Sequence, residues 1–189
     1  MKTIKSMLTA FAVAAFFIGT VNAQTSMDGT TTVGGAAMYP KMNIIENASN
    51  SKAHTTLVAA VKAAGLVETI SGKGPFTVLA PTNDAFENLP DGTVANLLKP
   101  ENKALLTKIL TYHVLTGKYS MADIMKAVKE GKGKAGMKTV SGGMLWFMMN
   151  GEHNVTVTDE MGNVSNISIY NVDQSNGVIH VLDTVLMPK

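Results

Sequence analysis

The sequence contains no cysteine and no arginine, and each absence removes a class of function. Without cysteine, the chain cannot form disulfides, use a thiol nucleophile or bind a metal through thiolate ligands. Arginine is the preferred side chain for bidentate recognition of phosphates and bases, so its absence argues against nucleic acid as a partner. The fold must therefore rest on its hydrophobic core.

A long apolar run is found only near the N-terminus. Lys2 and Lys5 precede the apolar residues 7–19, and Ala23 ends the following polar stretch with a small side chain. This order is typical of a secretory signal peptide, and the run is shorter than the ~20 residues that span a bilayer. We predict a signal peptide over residues 1–23, with a short membrane anchor as the alternative. No membrane span is predicted in the mature chain, which we expect to be secreted or periplasmic, with or without association with the cell surface.

Two segments are predicted after the leader. Residues 24–39 are rich in Thr, Gly and Ala and lack periodicity, which indicates a flexible lead-in. Residues 40–189 are long enough for one domain with a sizeable core. Removal of Lys2 and Lys5 with the leader leaves lysines and acidic groups balanced.

Helical and strand patterns occupy different parts of the predicted domain. Helical spacings of apolar residues occur within 44–64, 99–111 and 120–129. Strand-like runs occupy 76–80 and 112–115, and strands separated by turn residues fill the chain from Met137 onward. Helices thus dominate the first two thirds and strands the last third, which predicts the α+β class.

A cluster of polar residues follows an apolar run in the stretch GPFTVLAPTNDAFENLP, residues 74–90. A strand-like run stops at Pro81, and Thr82, Asn83 and Asp84 follow at once. Catalytic and metal-binding groups often lie at such a strand end. The same residues can equally cap the next helix and close a turn, and we predict this structural joint.

Three motifs together resemble the fasciclin-type domain. Residues 74–90 are similar to its first signature, residues 110–115 (LTYHVL) to its central Tyr-His segment, and residues 175–188 (SNGVIHVLDTVLMP) to its second signature. The resemblance implies a wedge of β-strands packed against several α-helices. It also implies a secreted or surface-exposed protein that acts in adhesion, extracellular-matrix or biofilm contexts, without a catalytic mechanism general to the family.

Histidine and methionine are the candidates for metal binding. His113 and His180 lie in apolar runs and are interpreted as buried, hydrogen-bonded imidazoles, while His54 and His153 are expected at the surface. Met144 and Met148 share a predicted strand face with Trp146, and Met149 points to the other face. Core packing is favoured for this cluster, with Cu(I) binding by the thioethers as the alternative.

Six residues are candidates for contact with a partner. The resemblance implies a role in adhesion for Tyr112 and His113, while Asn171-Val172 occupy the place of an Asp-Ile pair, which puts integrin binding in doubt. Lys132 and Lys134 belong to a lysine-rich, glycine-rich loop that is expected to attract anionic surfaces.

We therefore predict an exported, non-catalytic binding or adhesion module that uses no cofactor. The expected partner is extracellular matrix, polysaccharide or a cell-surface protein. The alternative is a periplasmic metal-handling protein that uses Met and His, or an unrecognised enzyme. A polar pocket that joins the histidines or methionines would favour this alternative.

Overall fold

The computed structural model describes residues 29–189, so the predicted signal peptide and the start of the lead-in lie outside the described residues. Seven α-helices are described in this part of the chain: α1 (Ile44–Asn50), α2 (Thr55–Ala64), α3 (Val67–Ser71), α4 (Asn83–Glu87), α5 (Thr93–Leu97), α6 (Lys103–Tyr112) and α7 (Met121–Glu130). Short 3-10 helices occupy Lys52–His54 and Pro100–Asn102. This helical content and the sheet below confirm the α+β class.

Nine strands form two sheets within the described residues. They are β1 (Thr31–Val33), β2 (Ala36–Met38), β3 (Phe76–Pro81), β4 (Val114–Thr116), β5 (Lys134–Lys138), β6 (Met144–Asn150), β7 (Asn154–Thr158), β8 (Val164–Gln174) and β9 (Gly177–Leu182). The main sheet has the order β4-β3-β9-β8-β7-β6-β5, and only β3 and β9 pair in parallel. Strands that follow one another from β5 to β9 pair with their neighbours, as expected for a meander.

The two ends of the main sheet meet. Leu115 in β4 forms an antiparallel bridge with Thr139, just after β5, and the Val140 N–H donates to the Val114 carbonyl at 2.8 Å. The sheet therefore curves almost into a barrel. Its interior holds one cluster of buried side chains, among them Leu79, Leu145, Phe147, Val155 and Val157, and α7 packs against this cluster.

A second core lies between the helices and the opposite face of β3 and β9. Val78, Ile179 and Val181 from these strands pack with apolar residues of α1, α2 and α6, such as Leu57 and Ile109. Every residue of β9 is buried because helices cover one of its faces and the barrel interior the other. Burial on both faces explains why this strand is a nearly continuous apolar run in the sequence.

Part of the lead-in that the composition predicts to be flexible forms a hairpin. β1 and β2 pair, and Val33 and Met38 are buried in the helical core. Gly34 adopts φ 58°, and a Cβ there would lie 2.5 Å from Ser51 Oγ, so the turn requires glycine. The prediction fails for residues 31–38 because two well-placed apolar side chains suffice to dock a short hairpin.

The polar cluster at the end of β3 is a joint between elements. Thr82 caps α4 by accepting from the Ala85 N–H at 3.3 Å. The Asn83 Oδ1 accepts from the Thr56 N–H at 3.0 Å, and its Nδ2 donates to the Lys52 carbonyl at 2.8 Å. These bonds tie the first turn of α2 to the end of β3, as expected for a structural joint.

Candidate binding surface

Tyr112 is completely buried at the end of α6 and holds two turns of the sheet in place. Its hydroxyl donates to the Met144 carbonyl at 2.7 Å and accepts from the Glu160 N–H at 3.0 Å. Its ring lies so close to Gly143 that a Cβ there would be 2.6 Å from Cε2. Burial raises the pKa of Tyr112 to about 12, against the opposing effect of the Glu160 hydrogen bond. Tyr112 is thus not available at the surface.

His113 follows Tyr112 and is also buried. Its Nδ1 donates to the Ile109 carbonyl at 2.9 Å, and its Nε2 accepts from the Leu186 N–H at 3.0 Å. Burial lowers the pKa of His113 to about 4, although the bond to Ile109 partly opposes the shift. The strand predicted for residues 112–115 actually begins at Val114, because Tyr112 still belongs to α6 and His113 caps that helix.

Asn171 and Val172 lie at an irregular point of the β8–β9 pairing. Val172 is buried in the helical core, so it is not available for contact with a partner. Asn171 adopts φ 56°, and its Oδ1 accepts from the Met121 N–H at the start of α7 at 2.7 Å. Asparagine tolerates this left-handed backbone better than most residues. Asn171 is exposed, but its side-chain oxygen already stabilises the start of a helix.

His180 lies beneath Asn171. Its Nδ1 accepts from the Asn171 N–H at 3.3 Å, and its Nε2 donates to the Tyr119 carbonyl at 2.9 Å. Burial lowers the pKa of His180, and the hydrogen bond to the Tyr119 carbonyl partly opposes this shift. Both ring nitrogens are thus occupied, and His180 serves as a neutral link between β8, β9 and the segment before α7.

His54 is buried, whereas the sequence pattern places it at the surface. Only 1% of its surface is exposed, and its Nδ1 lies 3.0 Å from Ser51 Oγ, which donates to the Val33 carbonyl. Burial lowers the pKa of His54, and the Ala80 carbonyl opposes this shift. The surface prediction is wrong because the ring turns inward, toward Ser51 and the Ala80 carbonyl at the end of β3. His153 is exposed in the β6–β7 turn, as expected.

The arrangement gives little support to a metal centre. Residues 29–189 contain no group of three His, Cys, Asp or Glu side chains that could hold a metal ion. Met144 and Met148 lie four residues apart on β6, which separates their Cα atoms by about 13 Å. Met149 is on the opposite face, against the barrel interior. The thioethers of this cluster are therefore not placed around one point.

Five lysines lie along the end of α7 and the edge strand β5: Lys126, Lys129, Lys132, Lys134 and Lys138, called here the lysine surface. All five are exposed. Of these five lysines, only Lys126 has a carboxylate partner among the described residues, Glu130 at 3.9 Å. Such an exposed pair contributes little stability. The lysine surface is thus a concentration of mostly unpaired positive charge.

The lysine-rich loop is shorter than the sequence indicates. β5 begins at Lys134, so only residues 131–133 connect it to α7. Lys132 lies in this turn with φ 56° and projects from it. Lys134 and Lys138 instead lie on a strand, where their side chains point to the same face.

Met144, Trp146 and Met148 lie on the outside of the sheet, where the sequence pattern predicts core. Leu145 and Phe147 between them are fully buried, whereas the other three are only partly buried. The error arises because both faces of β6 are apolar, so alternation does not show which face is inside. The outer face of β5–β7 comprises Lys134, Gly136, Lys138, Met144, Trp146, Met148, Thr156 and Thr158, called here the outer strand face.

The described residues form an α+β domain with a nearly closed sheet, and their polar motif residues hold the fold together. The chain belongs to the fasciclin family, since the Fasciclin domain pattern matches residues 52–188. No helix within residues 29–189 is both long and apolar enough to cross a membrane.

Relatives and a solved structure agree with this assignment. The chain is 43% identical to protein sll1483 of Synechocystis over 96% of this chain and 92% of that protein. It is 33% identical to the cell surface glycolipoprotein MPB83 of Mycobacterium bovis, over 93% of this chain and 74% of that protein. A FAS1 domain pair from the insect cell adhesion molecule Fasciclin I shares the fold, with a TM-score of 0.67 at 18% identity, over 77% of this chain and 51% of that structure.

Proposed function

We propose that this protein is an exported, non-catalytic binding module that attaches to cell-surface, extracellular-matrix or biofilm material through the lysine surface. The observation that carries the proposal is the contrast between two groups of candidate residues. Tyr112, His113 and Val172 are buried inside the domain, while Lys132 and Lys134 are exposed and lack carboxylate partners among the described residues.

The relatives support a role at the cell surface. MPB83 carries the words cell surface in its name, and the insect protein with the same fold is a cell adhesion molecule. Neither name describes an enzyme. The predicted leader over residues 1–23 is consistent with export of the chain, although it lies outside the described residues.

The physical basis of attachment is electrostatic. Lysines are compact point charges on flexible stems, and the glycines beside Lys132 leave it well exposed. Attraction to a polyanion is screened as the Debye length falls from ~10 Å at 0.1 M salt to ~3 Å at 1 M. Attachment should therefore weaken steeply with added salt.

The test is binding of the purified mature protein to envelope and matrix material from its own cells. Lys132→Gln with Lys134→Gln should lower the bound fraction severalfold at low salt without changing the melting temperature. The control is Lys62→Gln with Lys99→Gln, which removes the same charge from exposed positions elsewhere. Failure to bind, or equal binding by both double variants at every salt concentration, would contradict the proposal.

A further inference from the structure

The outer strand face combines an aromatic ring, two thioethers and two cations. The pairing of β5 with β6 sets Lys134 opposite Met148, Gly136 opposite Trp146 and Lys138 opposite Met144. The pairing of β6 with β7 sets Thr158 opposite Trp146 and Thr156 opposite Met148. Directly opposed residues share a face of the sheet, so these side chains form one continuous surface.

Gly136 lies directly across the strand pair from Trp146. A Cβ at this position would lie 3.6 Å from both Cδ1 and Nε1 of Trp146, and 3.1 Å from the Met144 Cε. A Cβ would thus meet the indole at an ordinary van der Waals distance, and the tighter approach is to the flexible end of Met144. Because glycine has no side chain, this position of β5 does not cover the indole.

Positive charge lies next to this ring. The Lys134 Nζ is 5.0 Å from the centre of the Trp146 ring, in a cation–π arrangement. Lys138 lies on the same face of β5, with its Cα about 13 Å further along the strand. A ligand that contacts the indole would thus meet an ammonium group on each side along β5.

Threonines border the apolar row on β7. Thr156 and Thr158 lie beside Met148 and Trp146, but their hydroxyls do not face a ligand. The Thr156 hydroxyl donates to the Met148 carbonyl at 3.4 Å, and Thr158 Oγ1 is inaccessible to solvent. Met144, Trp146 and Met148 are partly buried instead of protruding, whereas insertion into a bilayer needs apolar groups that reach out of the surface. The combination of an aromatic ring and two cations suits a ligand that offers both an apolar ring face and negative charges.

We propose that the outer strand face binds an acidic polysaccharide built from uronic-acid sugars, with a sugar ring against Trp146 and sugar carboxylates paired with Lys134 and Lys138. The C–H groups on the face of a pyranose ring are weakly positive and apolar, which complements the negative face of the indole. The carboxylates recur along the polymer and complement the two lysines. This inference rests on the proposed function, because it uses part of the lysine surface and names its ligand.

Trp146 is the single tryptophan of the chain, so its fluorescence reports directly on this face. Titration of the wild-type protein with oligogalacturonate should change the emission in a saturable way and protect the indole from quenching by acrylamide. Neutral maltohexaose should bind at least about tenfold more weakly, because it offers the ring contact without the charges. Added salt should weaken only the binding of oligogalacturonate.

Variants separate the ring from the charges. Trp146→Leu keeps an apolar side chain over Gly136 and should weaken oligogalacturonate binding about tenfold by calorimetry, while Trp146→Phe should retain most of it. Lys134→Gln with Lys138→Gln should weaken binding and flatten its salt dependence. The double variant at Lys62 and Lys99 should bind like the wild type.

The results distinguish this inference from the proposed function. Attachment to cell material that depends on Lys132 and Lys134, with no response of Trp146 to oligogalacturonate, would overturn the inference and leave the proposed function standing. A stronger emission change with vesicles of phosphatidylglycerol and phosphatidylcholine than with oligogalacturonate would overturn it in favour of a membrane. If Trp146→Leu fails to fold, the wild-type titration and the lysine variants still test whether the outer strand face binds the acidic polysaccharide.

Discussion

The Nε2 atom of His113 accepts a hydrogen bond from the Leu186 N–H at 3.0 Å, which ties the end of α6 to the C-terminal segment. The same imidazole donates through Nδ1 to the Ile109 carbonyl. Asp159 holds the neighbouring residue of this segment, since its Oδ2 accepts from the Met187 N–H at 2.8 Å. The central Tyr-His segment therefore joins parts of the chain that are far apart in sequence.

Replacement of His113 tests this structural role. We expect His113→Ala to lower the free energy of unfolding by at least about 2 kcal/mol, because it leaves a cavity and unpairs buried backbone groups. Urea unfolding followed by circular dichroism measures the change. His153→Ala, in an exposed turn, is the control and should stay within about 0.5 kcal/mol of the wild type. An unchanged midpoint for His113→Ala would mean that this residue does not hold the fold together.

Stability should fall as the pH drops from about 6.5 to about 4. The pKa of His113 is lowered to about 4 in the folded protein, so over this range the unfolded chain binds the proton and the folded chain does not. The stabilisation present above pH 6.5 is then lost, by about 3 kcal/mol for this residue. His54 and His180, whose pKa values are also lowered, add to the effect.

Urea midpoints between pH 7 and pH 4 measure this dependence. His113→Gln should show a shallower decline than the wild type, because one of the three buried histidines is removed. Parallel curves for the two proteins would show that His113 does not cause the pH dependence.

Removal of one buried hydroxyl should stabilise the domain. Thr158 Oγ1 is inaccessible to solvent and has no hydrogen-bond partner among the described residues. Thr158→Val keeps the shape of the side chain and removes the unpaired group, so we expect a gain of about 1 kcal/mol. Thr156→Val is the matched control on the same strand face, since the Thr156 hydroxyl donates to the Met148 carbonyl at 3.4 Å. Thermal unfolding would refute the prediction if Thr158→Val melted at or below the wild-type temperature.

The exported protein should begin at Gln24. The basic residues, apolar run and small residue that precede it have the order that signal peptidase recognises, although this part of the chain lies outside the described residues. Intact-mass spectrometry of protein recovered from outside the cytoplasm should give the mass of residues 24–189. Recovery of a chain that retains Met1 would contradict the predicted cleavage. A replacement of Ala23 by a bulky residue should block processing.

Short patterns of residues predict the class of the fold, the family and most of the elements of the domain. Local signals were sufficient for these, such as the cap at Thr82, the helical spacing in α6 and the apolar run of β9. These local signals depend on residues that are near one another in the chain. The same local signals predict the structural joint at Thr82 and Asn83, which the capping of α4 and the bonds of Asn83 confirm.

Which side chains face the solvent depends instead on how the elements pack in three dimensions. His54 is buried because its ring turns toward Ser51 and the Ala80 carbonyl. Met144, Trp146 and Met148 lie on the outside because the nearly closed sheet buries Leu145 and Phe147 instead. When both faces of a strand are apolar, alternation cannot distinguish inside from outside, and the choice depends on how distant strands close around a core. The position of Gly136 beside Trp146 likewise follows from strand register, which no local pattern of residues contains.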